Sequence, residues 1–142
     1  MVMGKVLLFV AILILGVFLL FYDSEWLESK RTAGKGLFPD ANYKPSISQG
    51  EAKYQETCVR CHGESLLGTK QGPSLLDSIY GPSHHADLSF YYAVKSGVRQ
   101  HHWRFGDMPK IAGLTPERVS DIIAYVRYQQ KKLNNKMTGG GK

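Results

Sequence analysis

Cys58-Val59-Arg60-Cys61-His62 places two thiols three positions apart with an imidazole directly after the second, and these five residues decide how the rest of the chain is read. One helical turn presents both sulfurs to the same side. Each can then add across one vinyl group of a porphyrin, and the adjacent His faces the iron as an axial ligand. The spacing is the attachment signature of c-type haem. Two rival chemistries use similar residues. A redox dithiol sits at a helix start in a βαβ pattern, and no strand pattern precedes Cys58. A zinc site needs four ligands, and a second pair would have to come from His84, His85, His101 or His102, which lack the usual His spacing.

Both cysteines of this 142-residue chain fall in the motif, so no structural disulfide is available. A small apolar core is marginal below about 70–100 residues, and a buried macrocycle serves as its staple. The polypeptide without haem is expected to be largely unfolded.

Upstream, Val6 to Tyr22 (VLLFVAILILGVFLLFY) carries no charge and one Gly, enough apolar length to cross most of a hydrocarbon core as a helix. Lys5 and this run also resemble the n- and h-regions of a cleaved signal peptide. The run is longer than a typical h-region, however, and ends in Phe21-Tyr22-Asp23-Ser24-Glu25-Trp26 rather than a small-x-small site. Tyr22 and Trp26 suit an interfacial belt. Residues 1–28 are therefore predicted to be one retained transmembrane anchor with its flank. Basic residues on either side leave the orientation ambiguous, with Lys5 before the span and Lys30, Arg31 and Lys35 after it. Residues 29–45, rich in Lys, Gly, Pro and Asn without apolar periodicity, read as a flexible tether.

From Ser48 to about Leu133 the chain resembles a class I monohaem c-type cytochrome, on four signals in the family's order. Ser48 with Glu51 reads as a capping box opening the helix that carries the thiols, and Gly50 and Tyr54 lie one turn apart on the face that crosses the last helix in the family. Gly72-Pro73 with Leu75 follows. The resemblance implies that Pro73 offers its carbonyl to the His62 ring N–H and that Leu75 packs on the haem. Met108-Pro109 matches the distal ligand site, which makes His62 and Met108 the implied iron ligands. The closing helix has Thr115 as N-cap, Pro116 in its first turn, and Val119, Ile122, Ile123 and Val126 at i, i+3, i+4, i+7. Tyr125 matches an aromatic of that helix, and Lys131 and Lys132 suit its C-terminus.

Between these signals, Asp87 is predicted to cap a short helix through Lys95 that buries Leu88, Tyr91 and Val94 and ends at Gly97. Trp103 matches a Trp in short bacterial cytochromes whose indole bonds a haem propionate, with plain packing as the alternative. The pairs His84-His85 and His101-His102 depart from the family pattern. They read as exposed or hydrogen-bonded loop residues. Propionate bonding, pH sensing, displacement of Met108 and a second metal site stand as alternatives.

The expected fold is all-α: a small cytochrome c fold of about three to five short helices around one covalent haem c, preceded by one transmembrane helix. The expected domains are the anchor (1–28), the tether (29–45), the haem domain (46–133) and a disordered tail (134–142). The resemblance implies an electron carrier, not an enzyme, and no catalytic constellation is evident. It also implies a bacterial inner membrane location with the haem domain on the periplasmic side. The partners implied are a membrane redox complex, reaction centre or oxidase as donor and acceptor. A formal charge of +6 suits acidic partner surfaces, with Lys70, Lys95, Arg99, Arg104 and Lys110 on the segments expected to rim the haem. Nucleic acid is not an expected partner. A fixed subunit of a respiratory or photosynthetic complex, and a haem gas sensor or small peroxidase, are the competing readings.

Overall fold

The computed structural model describes Val10, residues 12–18 and residues 36–139. Val10 and residues 12–18 are helical, but the rest of the predicted anchor, 1–28, lies outside the described residues. Among the described residues no helix is long and apolar enough to cross a membrane.

A separate compact unit begins at Gly36. Its helices are α1 (Ile47–Thr57), α2 (Val59–His62), α3 (Asp87–Ser96) and α4 (Pro116–Gly139), with a 3₁₀ turn at Ser78–Tyr80 between α2 and α3. Among the described residues the only β pairing is two isolated bridges, Thr69 with Gly72 and Val98 with Met108. The architecture is therefore helical, as expected, although α4 with 24 residues is not short.

α1 and α4 cross at Gly50 and Tyr54, the two positions the sequence marks. A Cβ at Gly50 would overlap the Asp121 carbonyl, so only glycine lets the two backbones meet there. One turn on, Tyr54 is fully buried with its ring 5.5 Å from that of Tyr125. The apolar stripe of α4 closes the core: Ile122, Tyr125 and Val126 join Tyr54, Leu66 and Leu75, while Val119 and Ile123 pack with Tyr91 of α3. Thr115 receives the Arg118 N–H at its hydroxyl and the Val119 N–H at its carbonyl, the N-cap role predicted for it.

Five local expectations are corrected. The cap of α1 is Ser46, not Ser48: its hydroxyl accepts from the Gln49 N–H, so the S-x-x-Q pattern two residues earlier sets the start. Asp87 is the first helical residue of α3 rather than its cap, because its carboxylate is taken by Arg127 at 2.7 Å. That opening turn faces outward, so Leu88 is exposed while Tyr91 is buried as expected. α4 continues to Gly139, so the predicted tail is helical to there and residues 140–142 lie outside the described range. No Gly or Pro interrupts residues 131–138, and each further residue adds one backbone bond to an existing helix. Lys131 and Lys132 consequently sit inside the helix, and Lys136 occupies its last turn.

Residues 36–45 of the predicted tether belong to this folded unit, and residues 29–35 lie outside the described residues. Residues 36–45 dock on the helices: Leu37 packs on the Tyr91 cluster, the Phe38 ring lies 5.2 Å from Tyr91, and Asp121 accepts from both the Tyr43 hydroxyl (2.8 Å) and the Ser46 N–H (2.7 Å). Desolvation and the Asp121 carboxylate push the Tyr43 phenol up to about 12. The folded state thus holds this proton more tightly than the unfolded chain, whose phenol titrates near ~10. Its stabilisation is fully present below pH ~10 and is lost as pH rises toward about 12. Urea midpoints measured from pH 8 to 12 should fall across that window, and Tyr43→Phe should flatten the fall.

Candidate haem site

Cys58 stands at the joint between α1 and α2, its N–H bonded to the Tyr54 carbonyl and its own carbonyl accepting from the N–H groups of Cys61 and His62. Both cysteines are free and half-buried, so one tight turn carries two available thiols and the imidazole. Burial pushes the Cys58 thiol up.

The loop after α2 wraps back over this turn. The Thr69 hydroxyl donates to the Cys61 carbonyl at 2.8 Å, the Gly68 N–H to the His62 carbonyl at 2.8 Å, and the Leu75 N–H to the Leu66 carbonyl at 2.9 Å. The Tyr54 hydroxyl, reaching across from α1, donates to the Gly63 carbonyl. These contacts bring Pro73 to His62, with its carbonyl 2.9 Å from Nδ1. A carbonyl only accepts, so Nδ1 carries the proton and Nε2 keeps its lone pair. Burial holds the imidazole below its usual range, opposed in part by the bond to Pro73. The ring is thereby kept neutral, the state that binds metal.

This donor set suits haem c: two thiols to receive the vinyl carbons, and one oriented imidazole with a free lone pair. Cys58, Cys61, His62, Pro73 and Leu75 are brought together, Leu75 being buried in the cluster on which Cys58 and Val59 pack. A family model described as Cytochrome c matches residues 47–130. The chain belongs to the cytochrome c family. It is a haem-based electron carrier with one covalently bound haem c. Searches of curated proteins and of solved structures found no match to it.

In this cytochrome c, Met108 lies on a separate loop and is partly buried. Its N–H and carbonyl both pair with Val98 at 2.9 Å, and the Ile111 N–H donates to the Val94 carbonyl, so both ends of the loop are tied to the end of α3. Gly97 makes the turn possible. It has φ +75, and a Cβ would press on the Met108 carbonyl. The Trp103 indole donates to the Tyr80 hydroxyl at 3.2 Å, a protein partner for the N–H that the resemblance assigns to a propionate.

Arg127 belongs to no motif that the sequence analysis singles out. From one turn of α4 its guanidinium donates to Asp87, to the Tyr80 and His85 carbonyls, and to Gln130, and it lies 5.0 Å over the Phe90 ring. It pins the segment between the 3₁₀ turn and α3 from about 40 residues away in sequence, a distance at which no local pattern reports contact.

The four loop histidines converge. His84 Nε2 and His102 Nε2 are 3.4 Å apart, and the rings of His101 and His102 have centroids 4.2 Å apart. Partial desolvation, then the neighbouring imidazoles His101, His85 and His84, hold His102 below its usual range.

Proposed function

We propose that this cytochrome c is a membrane-tethered carrier that exchanges single electrons with membrane redox complexes, with His62 and Met108 as the iron ligands. Haem c supplies the one-electron ferric/ferrous couple, and the chain's residues bind it, orient it and keep it dry. Cys58 and Cys61 hold the macrocycle, Pro73 orients His62, and Leu75 with Tyr54 excludes water. No substrate bond has to be made or broken in this role.

The fixed His62–Pro73 bond carries the reading. A neutral, oriented imidazole is what a permanent axial ligand needs, and the doubly tied Met108 loop suits a sixth ligand that stays in place. Met with His raises the reduction potential relative to two His ligands. Met108→His is expected to lower it by on the order of 0.1 V, within the ~0.8 V that axial ligands span. Met108→Ala should let the ferrous protein bind carbon monoxide at neutral pH, which the native protein resists. Spectroelectrochemistry and the far-red Met-to-iron charge-transfer band check both. Persistence of that band in Met108→Ala would remove Met108 as the ligand.

The N-terminal segment supports the membrane part. Ile12, Leu13, Ile14 and Leu15 are consecutive and all exposed, so this helical stretch is apolar on every face. The run from Val6 to Tyr22 is long enough for a single span, and covalent haem attachment implies a domain on the periplasmic side of a bacterial inner membrane. Lys70, Lys95, Arg99, Arg104 and Lys110 are all exposed, which fits encounter with acidic partner surfaces at salt-sensitive rates. Alkaline carbonate washing of membranes from the native host tests the anchor. Haem-stained protein should stay with the membranes, and release into the wash contradicts the tether.

A further inference from the structure

Four of the five histidines of this chain are His84, His85, His101 and His102, and the haem role uses none of them. They come from two loops that the fold holds together. In the first, the His84 and His85 N–H groups both donate to the Gly81 carbonyl, and the His85 carbonyl is gripped by Arg127 of α4. In the second, Asp107 accepts from the Gln100 N–H, and the Gln100 side chain accepts from the Gly106 N–H. Both loops are thus held by contacts that do not involve the imidazoles.

The side chains then point their nitrogens at one place. One ring nitrogen from each of His84, His85 and His102 lies within 4.8 Å of the other two. His85 is also oriented. Its Nδ1 is 2.6 Å from the Ile79 carbonyl, which can only accept, so the proton is on Nδ1 and the lone pair is on Nε2. Metal-binding histidines are arranged this way, with one ring nitrogen donating to a carbonyl so that the other can ligate. The distances agree with a small ion. Two imidazole nitrogens on one tetrahedral ion, each about 2.0–2.1 Å from it, stand about 3.3–3.4 Å apart. His84 Nε2 and His102 Nε2 stand 3.4 Å apart, too far for a strong hydrogen bond between them. His84 and His102 are exposed, so small ring rotations can close the remaining gap to His85.

We propose that His84, His85 and His102 form a second metal site, which takes one late first-row divalent cation of the copper–zinc class. Three imidazoles with no carboxylate select such an ion over magnesium or calcium, which require oxygen ligands. The fourth position is open to water or to His101. The His101 Nδ1 donates to the Arg99 carbonyl at 2.9 Å, so its Nε2 is the free nitrogen. The site shares no ligand with the haem iron, although His102 lies on the Val98–Met108 loop, and the two metals can be counted separately in one sample.

The test uses the untagged full-length holoprotein, stripped with chelator, incubated with a few equivalents of Cu(II) or Zn(II), and desalted. Metal is then measured against haem iron by mass spectrometry. The expected result is one equivalent of copper or zinc retained per haem, with imidazole nitrogen hyperfine structure in the Cu(II) paramagnetic resonance spectrum. His84→Gln and His102→Gln should each weaken binding about a hundredfold or more, since loss of even a residue behind a ligand costs about 10–100-fold. Both side chains are exposed, so haem content and helical circular dichroism should be unchanged. Less than a tenth of an equivalent retained by the native protein, a copper spectrum without nitrogen coupling, or equal retention by the His84→Gln/His102→Gln double variant would overturn the site. The haem iron measured in the same sample reports the electron carrier separately.

Discussion

Replacing both Cys58 and Cys61 with Ser should abolish covalent haem and with it the folded domain. The two thiols are the chain's only cysteines, so no disulfide stands behind them. The protein core is thin. Among the described residues nine apolar side chains are buried, in two clusters that share only Phe90 and Leu114 at their margins. Such a core lacks the margin of a larger domain, and the macrocycle supplies the missing apolar surface. The double variant should therefore run as colourless, protease-sensitive polypeptide with little helical circular dichroism. A single variant keeps one thioether and should give pigment in reduced yield. Native-like helicity and protease resistance in the double variant would show that the polypeptide packs without its cofactor.

Gly50→Val should be almost as damaging, by a route that leaves the haem chemistry untouched. A side chain at this position meets the backbone carbonyl of Asp121, and backbone cannot rotate aside as a side chain can. Ordinary overpacking costs about 1–3 kcal/mol. Here the two helices must separate, and the neighbouring contacts move with them. Asp121 holds Tyr43 and Ser46, and Tyr54 sits one turn along the same face against Tyr125. A loss of about 4 kcal/mol or more places the substitution in the exceptional range. Urea unfolding of the holoprotein measures it, with Gly50→Ala falling between the variant and the native chain. A midpoint shift equivalent to less than about 1 kcal/mol for Gly50→Val would mean the helices do not cross at this glycine.

The parts of the fold legible in the sequence are those that depend on short spacing or period. Cys58, Cys61 and His62 are neighbours on one turn, and the α4 stripe from Val119 to Val126 repeats at helical period, so both could be read without knowing the fold. Only the family's order of motifs points to Pro73 as the partner of His62, and the Pro73 carbonyl lies 2.9 Å from the His62 Nδ1. What escaped was long-range. Leu37, Phe38 and Tyr43 sit in a stretch whose Gly, Pro and Asn look like a tether, yet their partners are on α3 and α4. Asp87 has the composition of a cap, but an arginine 40 residues away competes for its carboxylate and wins. The convergence of His84, His85 and His102 likewise depends on two loops meeting in space, which neither pair announces by itself.

Trypsin offers the most direct test of the haem site, because Arg60 lies between the two cysteines. Cleavage after Lys53, Arg60 and Lys70 separates Cys58 and Cys61 onto different peptides. In protein matured by a host able to make c-type cytochromes, mass spectrometry of the digest should find those two peptides joined as one species, heavier than their sum by one haem. Two separate peptides with unmodified thiols, and haem that extracts into acidified acetone, would contradict covalent attachment at Cys58 and Cys61.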